Sequence, residues 1–315
     1  MFATSGTNFN ADSLKLFSGG TENWQTHLGA AAILVPALVR SQMASATQDS
    51  IGSGQGFGQQ NEKSLQSEGD TVASFLLGSF AWFDIIACAS TRSSSFLRLD
   101  HKVTLELAGI HLESLAGCEN WVMIFILEIS FLDKWKKDAE KGSKLSVIEL
   151  AKRGGQIEER LRDRLADMEN KSLTASSSRN TSGMPSASTP GEVTKIFALA
   201  AMTYLHVVVS GAHPELPEIV ESVSKTIIAF QSLADAKLLR NLVWPFCISG
   251  CLALEREHTF FRGFISTAGI NQSTIGTCFE AFKIMEECWE TRKGCSYNCD
   301  WVFVMNKRGH HVLLA

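Results

Sequence analysis

Apolar residues recur at three- and four-residue spacing along most of the chain, and this pattern predicts a series of amphipathic helices rather than strands. The first such stretch runs from Trp24 to Val39, interrupted at Pro36. Ser41 to Asp70 then turns to Ser, Gly, Gln and Asn with almost no apolar content, and reads as a flexible loop. Helical periodicity resumes over Val72–Ser90 and over Val103–Ala116, where Gly117 separates the second from a third helix. In that third helix Trp121, Phe125, Ile129 and Leu132 form one stripe, with most charged residues off it and lysines toward its C-terminus. A narrower stripe, Ile157, Leu161, Leu165 and Met168, is flanked by Glu158 and Arg162 at i, i+4. A coiled-coil seam has the same spacing, but this run lacks the three or four heptads that seams need, which favours packing on the parent domain.

Ser172 to Pro190 is rich in Ser and Thr and carries Pro185 and Pro190, the composition of a flexible linker. Beyond it, Glu192–Ser210 is hydrophobic nearly all round and therefore predicted to be central. Pro217–Phe230 places Ile219, Val223, Ile227 and Phe230 on one face. A kinked helix should follow, capped by Asp235 and bent at Pro245, where a backbone donor is missing. Thr259–Ala268 ends at Gly269, and Ile275–Arg292 ends at Gly294 with Ile275, Phe279, Phe282, Met285 and Trp289 as its stripe. Asp300 and Gly309 bracket a last short helix, and His311–Leu314 is the one stretch that could alternate as a strand. The expected fold is all-α: residues 1–70 as an N-terminal helix plus loop, and residues 71–315 as a helical domain interrupted by the linker at 172–190.

Composition adds scale. With 315 residues, 45% of them hydrophobic, the chain can bury a large core. A net charge of −4 gives no overall basic footprint for nucleic acid. The segment Met1–Asn10 has neither the basic nor the apolar region of a secretory signal, so the eight cysteines read as free thiols of a reducing compartment. The apolar run Ile196–Val209 is shorter than the roughly 20 residues of a membrane span, and Thr71–Ala89 is interrupted by Trp82 and Asp84; neither is expected to enter a membrane.

Reactive chemistry is sparse. The sequence holds no Gly-x-Ser-x-Gly elbow, no His-Glu-x-x-His and no phosphate loop; the run Gly52–Gly58 lacks the Gly-Lys-Ser/Thr ending. Cys295, Cys299 and the pair His310–His311 have zinc-ligand chemistry, but adjacent histidines point in different directions. Cys247 and Cys251, one turn apart on an apolar helix, read as core thiols, with an oxidant sensor as the alternative. His206 reads as a hydrogen-bonded core histidine. Bulky aromatics with few polar neighbours build either core or an apolar pocket, and Trp82, Phe83, Trp121, His206, Trp244, Phe246 and Cys247 are the candidates for such a site.

Several blocks occur together in order: Trp24–Leu28, Phe80–Ile86, Gly117–Met123, Lys195–Ala201 through Leu205-His206, His213–Ile219, Leu239–Cys247 and on to Cys251, Ile284–Trp289, Cys299-Asp300-Trp301 and Val312–Leu314. This succession resembles the regulatory domain of fungal-specific transcription factors of the six-cysteine zinc-cluster family, over most of the chain. The resemblance implies a nuclear, non-enzymatic regulator of RNA polymerase II transcription. It also implies DNA contact through an N-terminal zinc cluster, a homodimer, transcriptional co-regulators and, in some relatives, an apolar sterol-like ligand. No Cys-x-x-Cys pair occurs in this sequence, so DNA binding and zinc carry over to none of its residues, and no cofactor is expected in this chain. The alternative is a stand-alone helical protein for a small apolar or lipid ligand.

Overall fold

A computed structural model describes residues 23–49, 60–97, 99–177, 190–274, 276–294 and 298–315. Among them lie twelve α-helices, two 3-10 turns and no strand, so the fold is all-α and His311–Leu314 is extended tail rather than sheet. The helices are α1 (Trp24–Asp49), α2 (Gln60–Thr91), α3 (His101–Leu107), α4 (Glu113–Ala116), α5 (Asn120–Lys141) and α6 (Val147–Ser177). They continue as α7 (Pro190–Ser210), α8 (Pro217–Gln231), α9 (Val243–Cys251), α10 (His258–Thr267), α11 (Cys278–Lys293) and α12 (Trp301–Arg308).

The centre is α7. Every residue from Ile196 to Val208 is buried, and α5, α6, α8 and α9 all pack on it. Its opening proline sits at the first helical position, where the missing N–H has no helical acceptor to lose. Among the described residues, two helices, over Thr71–Thr91 and Gly191–Ser210, are long and apolar enough to cross a membrane, yet most of each is buried against the rest of the protein.

Aromatic rings carry the core outward from α7. Phe197 stacks on Trp244 of α9 with centroids 6.2 Å apart. Tyr204 meets Trp244 edge-on at 6.0 Å and Trp301 of α12 at 5.8 Å. The Trp301 indole then donates to the Ser90 carbonyl of α2 at 2.9 Å. Such edge-to-face pairs add to the apolar burial that dominates the core.

Several boundaries differ from expectation. The predicted loop at 41–70 is helical over 41–49 and 60–70, because Ala, Gln, Glu and Lys sustain a helix that packed segments have already nucleated; residues 50–59 lie outside the described set. The predicted linker likewise loses 172–177 to α6, and 178–189 lie outside the described set. The expected helix Val103–Ala116 is broken at Gly109, whose φ of +58 is left-handed. The Asn120 side chain holds that break open by donating to the Ile110 carbonyl at 2.6 Å and accepting from the Leu112 N–H at 2.8 Å.

The expected kinked helix is a 3-10 turn followed by a new α-helix, so Pro245 does not interrupt a helix. It occupies the third position of α9, where helical N–H groups are unpaired in any case, and Phe246 N–H makes the first turn's bond to the Leu242 carbonyl at 3.0 Å. Asp235 caps a separate 3-10 turn, Ala236–Asn241, by accepting from the Lys237 N–H. The α11 stripe is rotated too. Cys278, Ala281, Ile284, Met285, Cys288 and Trp289 are buried while Phe279 and Phe282 are half-buried, and Ile275 lies outside the described residues. As predicted, Ile219, Val223, Ile227 and Phe230 are buried on α8, and Asp300 and Gly309 cap α12.

One ionic node ties three helices. Arg92, with a left-handed φ of +50, follows α2 and grips Asp133 of α5 through two hydrogen bonds, one of them Nε to Oδ2 at 3.1 Å. Its Nη1 reaches Asp300, the α12 cap, at 2.7 Å, and Lys137 bonds both Asp133 and the Arg92 carbonyl at 2.8 Å. Burial alone would raise the Asp133 pKa, but hydrogen bonds and charge from Arg92, then Lys137, outweigh it and hold the carboxyl below its ordinary value.

Replacing Asp133 with Ala should cost about 3–5 kcal/mol, read as a lowered denaturant midpoint, because the guanidinium is left largely buried with a single carboxylate partner. The depressed pKa also sets a pH window. On acidification the unfolded chain takes up the proton first, so this stabilisation is present above about pH 4 and lost as pH falls through the folded-state value. Midpoints followed downward from about pH 6 should therefore fall more steeply in the native chain than in Asp133→Asn.

Candidate functional site

The seven nominated residues fall in four places. Trp244, Phe246 and Cys247 share the first half of α9 and have no exposure. Trp244 lies between Phe197 and Tyr204, while Phe246 meets Phe230 of α8 and Phe261 of α10 at 5.9 and 5.3 Å. Cys247 Sγ is 4.0 Å from Cys251 Sγ and 3.9 Å from the Ala281 carbonyl. Trp82 and Phe83 lie on α2 with rings 4.9 Å apart. His206 faces α6, its Nε2 3.4 Å from Glu158 Oε1.

Trp121 is the one of the seven that lines the open groove of about 510 Å³ bounded by α3, α5 and α6. Trp121 and Phe125 meet edge-on at 6.0 Å, and the Arg160 guanidinium rests 4.9 Å over Phe125 while pairing with Glu128 at 3.0 Å. Asp163, Arg164 and Asp167 bring mixed charge to the same wall. The groove is thus lined both by apolar side chains, Leu105, Trp121, Ile124 and Phe125, and by charges of opposite sign. Among the described residues, no group of three His, Cys, Asp or Glu side chains is placed to hold a metal ion. Of the zinc-type set, Cys299 is buried, His310 is exposed, and Cys295 lies outside the described residues.

The groups that hold the fold's polar interior were not among the seven. Asp84 and His101, both fully buried, lie 2.8 Å apart, and Asp84 also accepts from Ser95 Oγ at 2.5 Å and the Phe96 N–H at 2.8 Å. This fastens the segment after α2 back onto α2, as Arg92 fastens its start to α5. The signal was present: an aspartate inside Trp82-Phe83-Asp84-Ile85 or Phe131-Leu132-Asp133 must be paired to be buried.

The geometry defines a class: an all-α domain whose helices enclose a large apolar core around α7, with a groove of mixed lining on its surface. The comparisons with known proteins then place it. A profile described as the fungal specific transcription factor domain matches residues 12–315, and the chain belongs to that family. It is 31% identical, over 93% of its length and 68% of the relative's, to the trichothecene biosynthesis transcription regulator TRI10 of Trichoderma arundinaceum. The protein of the same name from Fusarium sporotrichioides is 30% identical with the same coverage. The ustiloxin B cluster transcription factor ustR of Aspergillus flavus is 32% identical over 74% of this chain and 41% of its own length. No solved structure matches. The chain is thus a fungal regulatory domain of the transcription-factor type, and its relatives are transcription regulators.

Trp244 and Trp121 should separate core from groove. Trp244→Ala is expected to cost about 3–5 kcal/mol by leaving a cavity against α7, and Trp121→Ala about 1 kcal/mol, measured as denaturant midpoints.

Proposed function

We propose that this chain is the signal-receiving half of a nuclear regulator of a biosynthetic gene cluster, and that it acts on promoters through a DNA-binding module outside this sequence. The observation that carries the reading is the similarity along 93% of the chain to a regulator of trichothecene biosynthesis. Its charge supports the same division of labour. A net charge of −4 and a pI near 6.1 are poorly suited to the phosphate backbone, whose neutralisation drives DNA binding.

In this reading the chain is not an enzyme and holds no cofactor; zinc belongs to the separate module. Its partners are co-regulators of transcription and a second copy of the chain, with no role for a membrane. Exposed apolar side chains, Ile33 and Leu34 on α1 and Val72 and Phe75 on α2, supply contact surface outside the core.

Fused to an unrelated DNA-binding domain, the chain should change expression of a reporter carrying that domain's site, and deletion of the native gene should alter transcripts of a neighbouring biosynthetic cluster. A silent fusion together with unchanged transcripts would reject the reading. The Asp133→Ala fusion should lose its effect in step with its loss of stability.

A further inference from the structure

Four thiols gather along the seam between α9, α11 and the start of α12. Cys247 and Cys251 lie one turn apart on α9 with sulfurs separated by 4.0 Å. Cys288 of α11 brings its sulfur to 3.5 Å from that of Cys251, and Cys299 hydrogen-bonds Cys288 from the segment before α12. All four are fully buried.

Close helix contact makes this possible. A Cβ at Gly250 would run into the end of Met285 on α11, so glycine at this position lets the two helices approach. Arg292 closes the outer end by donating to the carbonyl oxygens of Cys251 and Cys299, the latter at 3.0 Å.

We propose that Cys251 and Cys288 form a modification site, a dithiol that an oxidant of the hydroperoxide class converts to an intrachain disulfide locking α9 to α11. A disulfide sets its sulfurs about 2.05 Å apart, so the two need to close by about 1.5 Å, within reach of side-chain rotation. The step balances. One sulfur, as thiolate, attacks a peroxide oxygen; the O–O bond breaks, hydroxide leaves and takes up the thiol's proton as water, and a sulfenic acid remains. The second sulfur attacks the sulfenic sulfur; the S–S bond forms, the S–O bond breaks, and the second thiol proton leaves in a second water. The two sulfurs together lose two electrons, which the peroxide gains.

Burial also gates the reaction. It pushes the Cys251 and Cys288 thiols well above the ordinary range, while Arg292 favours the thiolate of each. In the closed seam both stay protonated and slow to react. The seam comes nearest to solvent at its outer end, where buried Cys299 follows exposed Asn298. The dithiol is therefore stable at rest, and oxidation is slow while the seam stays packed. This inference rests on the seam and not on the transcriptional reading.

The test treats the folded native chain with hydrogen peroxide, removes the peroxide, unfolds the chain in denaturant with an alkylating reagent to cap the remaining thiols, and maps peptides by mass spectrometry without reduction. We expect two of the eight thiols to be lost, one linkage joining Cys251 to Cys288, and a rise in denaturation midpoint that a reductant reverses. Cys88 and Cys118, on other elements, should remain alkylatable. Because Cys247 and Cys251 share a tryptic peptide, Cys247→Ala should keep the linkage, whereas Cys251→Ala and Cys288→Ala should each lose it. Full alkylation after peroxide, a dominant Cys247–Cys251 link, or linkages scattered over all cysteines would overturn the proposal, and the native chain's map decides it even if a variant fails to fold.

Discussion

The structure depends on enclosing one helix that has no polar side. From Ile196 to Val208 every residue of α7 is buried, so the helix can exist in water only if others surround it. The four that do come from both sides of the segment at 178–189, which is why the chain forms one core and not two. Tyr204 shows how tightly this is specified. Its ring meets Trp244 and Trp301 while its hydroxyl lies 3.3 Å from Ser130 Oγ, so a single side chain registers α7 against α9, α12 and α5.

A core of this kind sets helices against one another but does not by itself fix the chain between them. Buried polar groups do that. Arg92 and Asp84, eight positions apart, secure the segment after α2 from two directions: the arginine to α5 and the α12 cap, the aspartate to Ser95, Phe96 and His101. Asn120 does the same for the break between α3 and α4. Each contact satisfies groups that would otherwise be buried unpaired, so these residues specify conformation even where an apolar pair of equal volume could match them in stability.

This division explains what could be read from the sequence. Apolar periodicity located α7, the α8 face and the caps of α12 because those features depend on residues close in sequence. The register of α11 was not legible, because its seam is made by Cys278, Ala281 and Cys288, small residues that a reading based on large side chains passes over in favour of Phe279 and Phe282. The placement of Pro245 inside a longer helix failed for a related reason. A proline's effect depends on its position from the helix start, and that start at Val243 is fixed by tertiary packing. The candidate pocket was a list of aromatics, and only the fold could show that Trp82, Trp121 and Trp244 face different neighbours.

The helix α9 is where these themes meet. All nine of its residues are buried, with Trp244 against α7 on one side and Gly250 and Cys251 against α11 on the other. Close-packed interiors transmit displacement because they lack free volume to absorb it. An element with no solvent-facing side cannot relax outward when α11 shifts; it must carry the shift to α7 or resist it. Four helices read the position of α7. A regulatory domain can therefore have a sensitive element inside its core, one defined by having packed neighbours on every side.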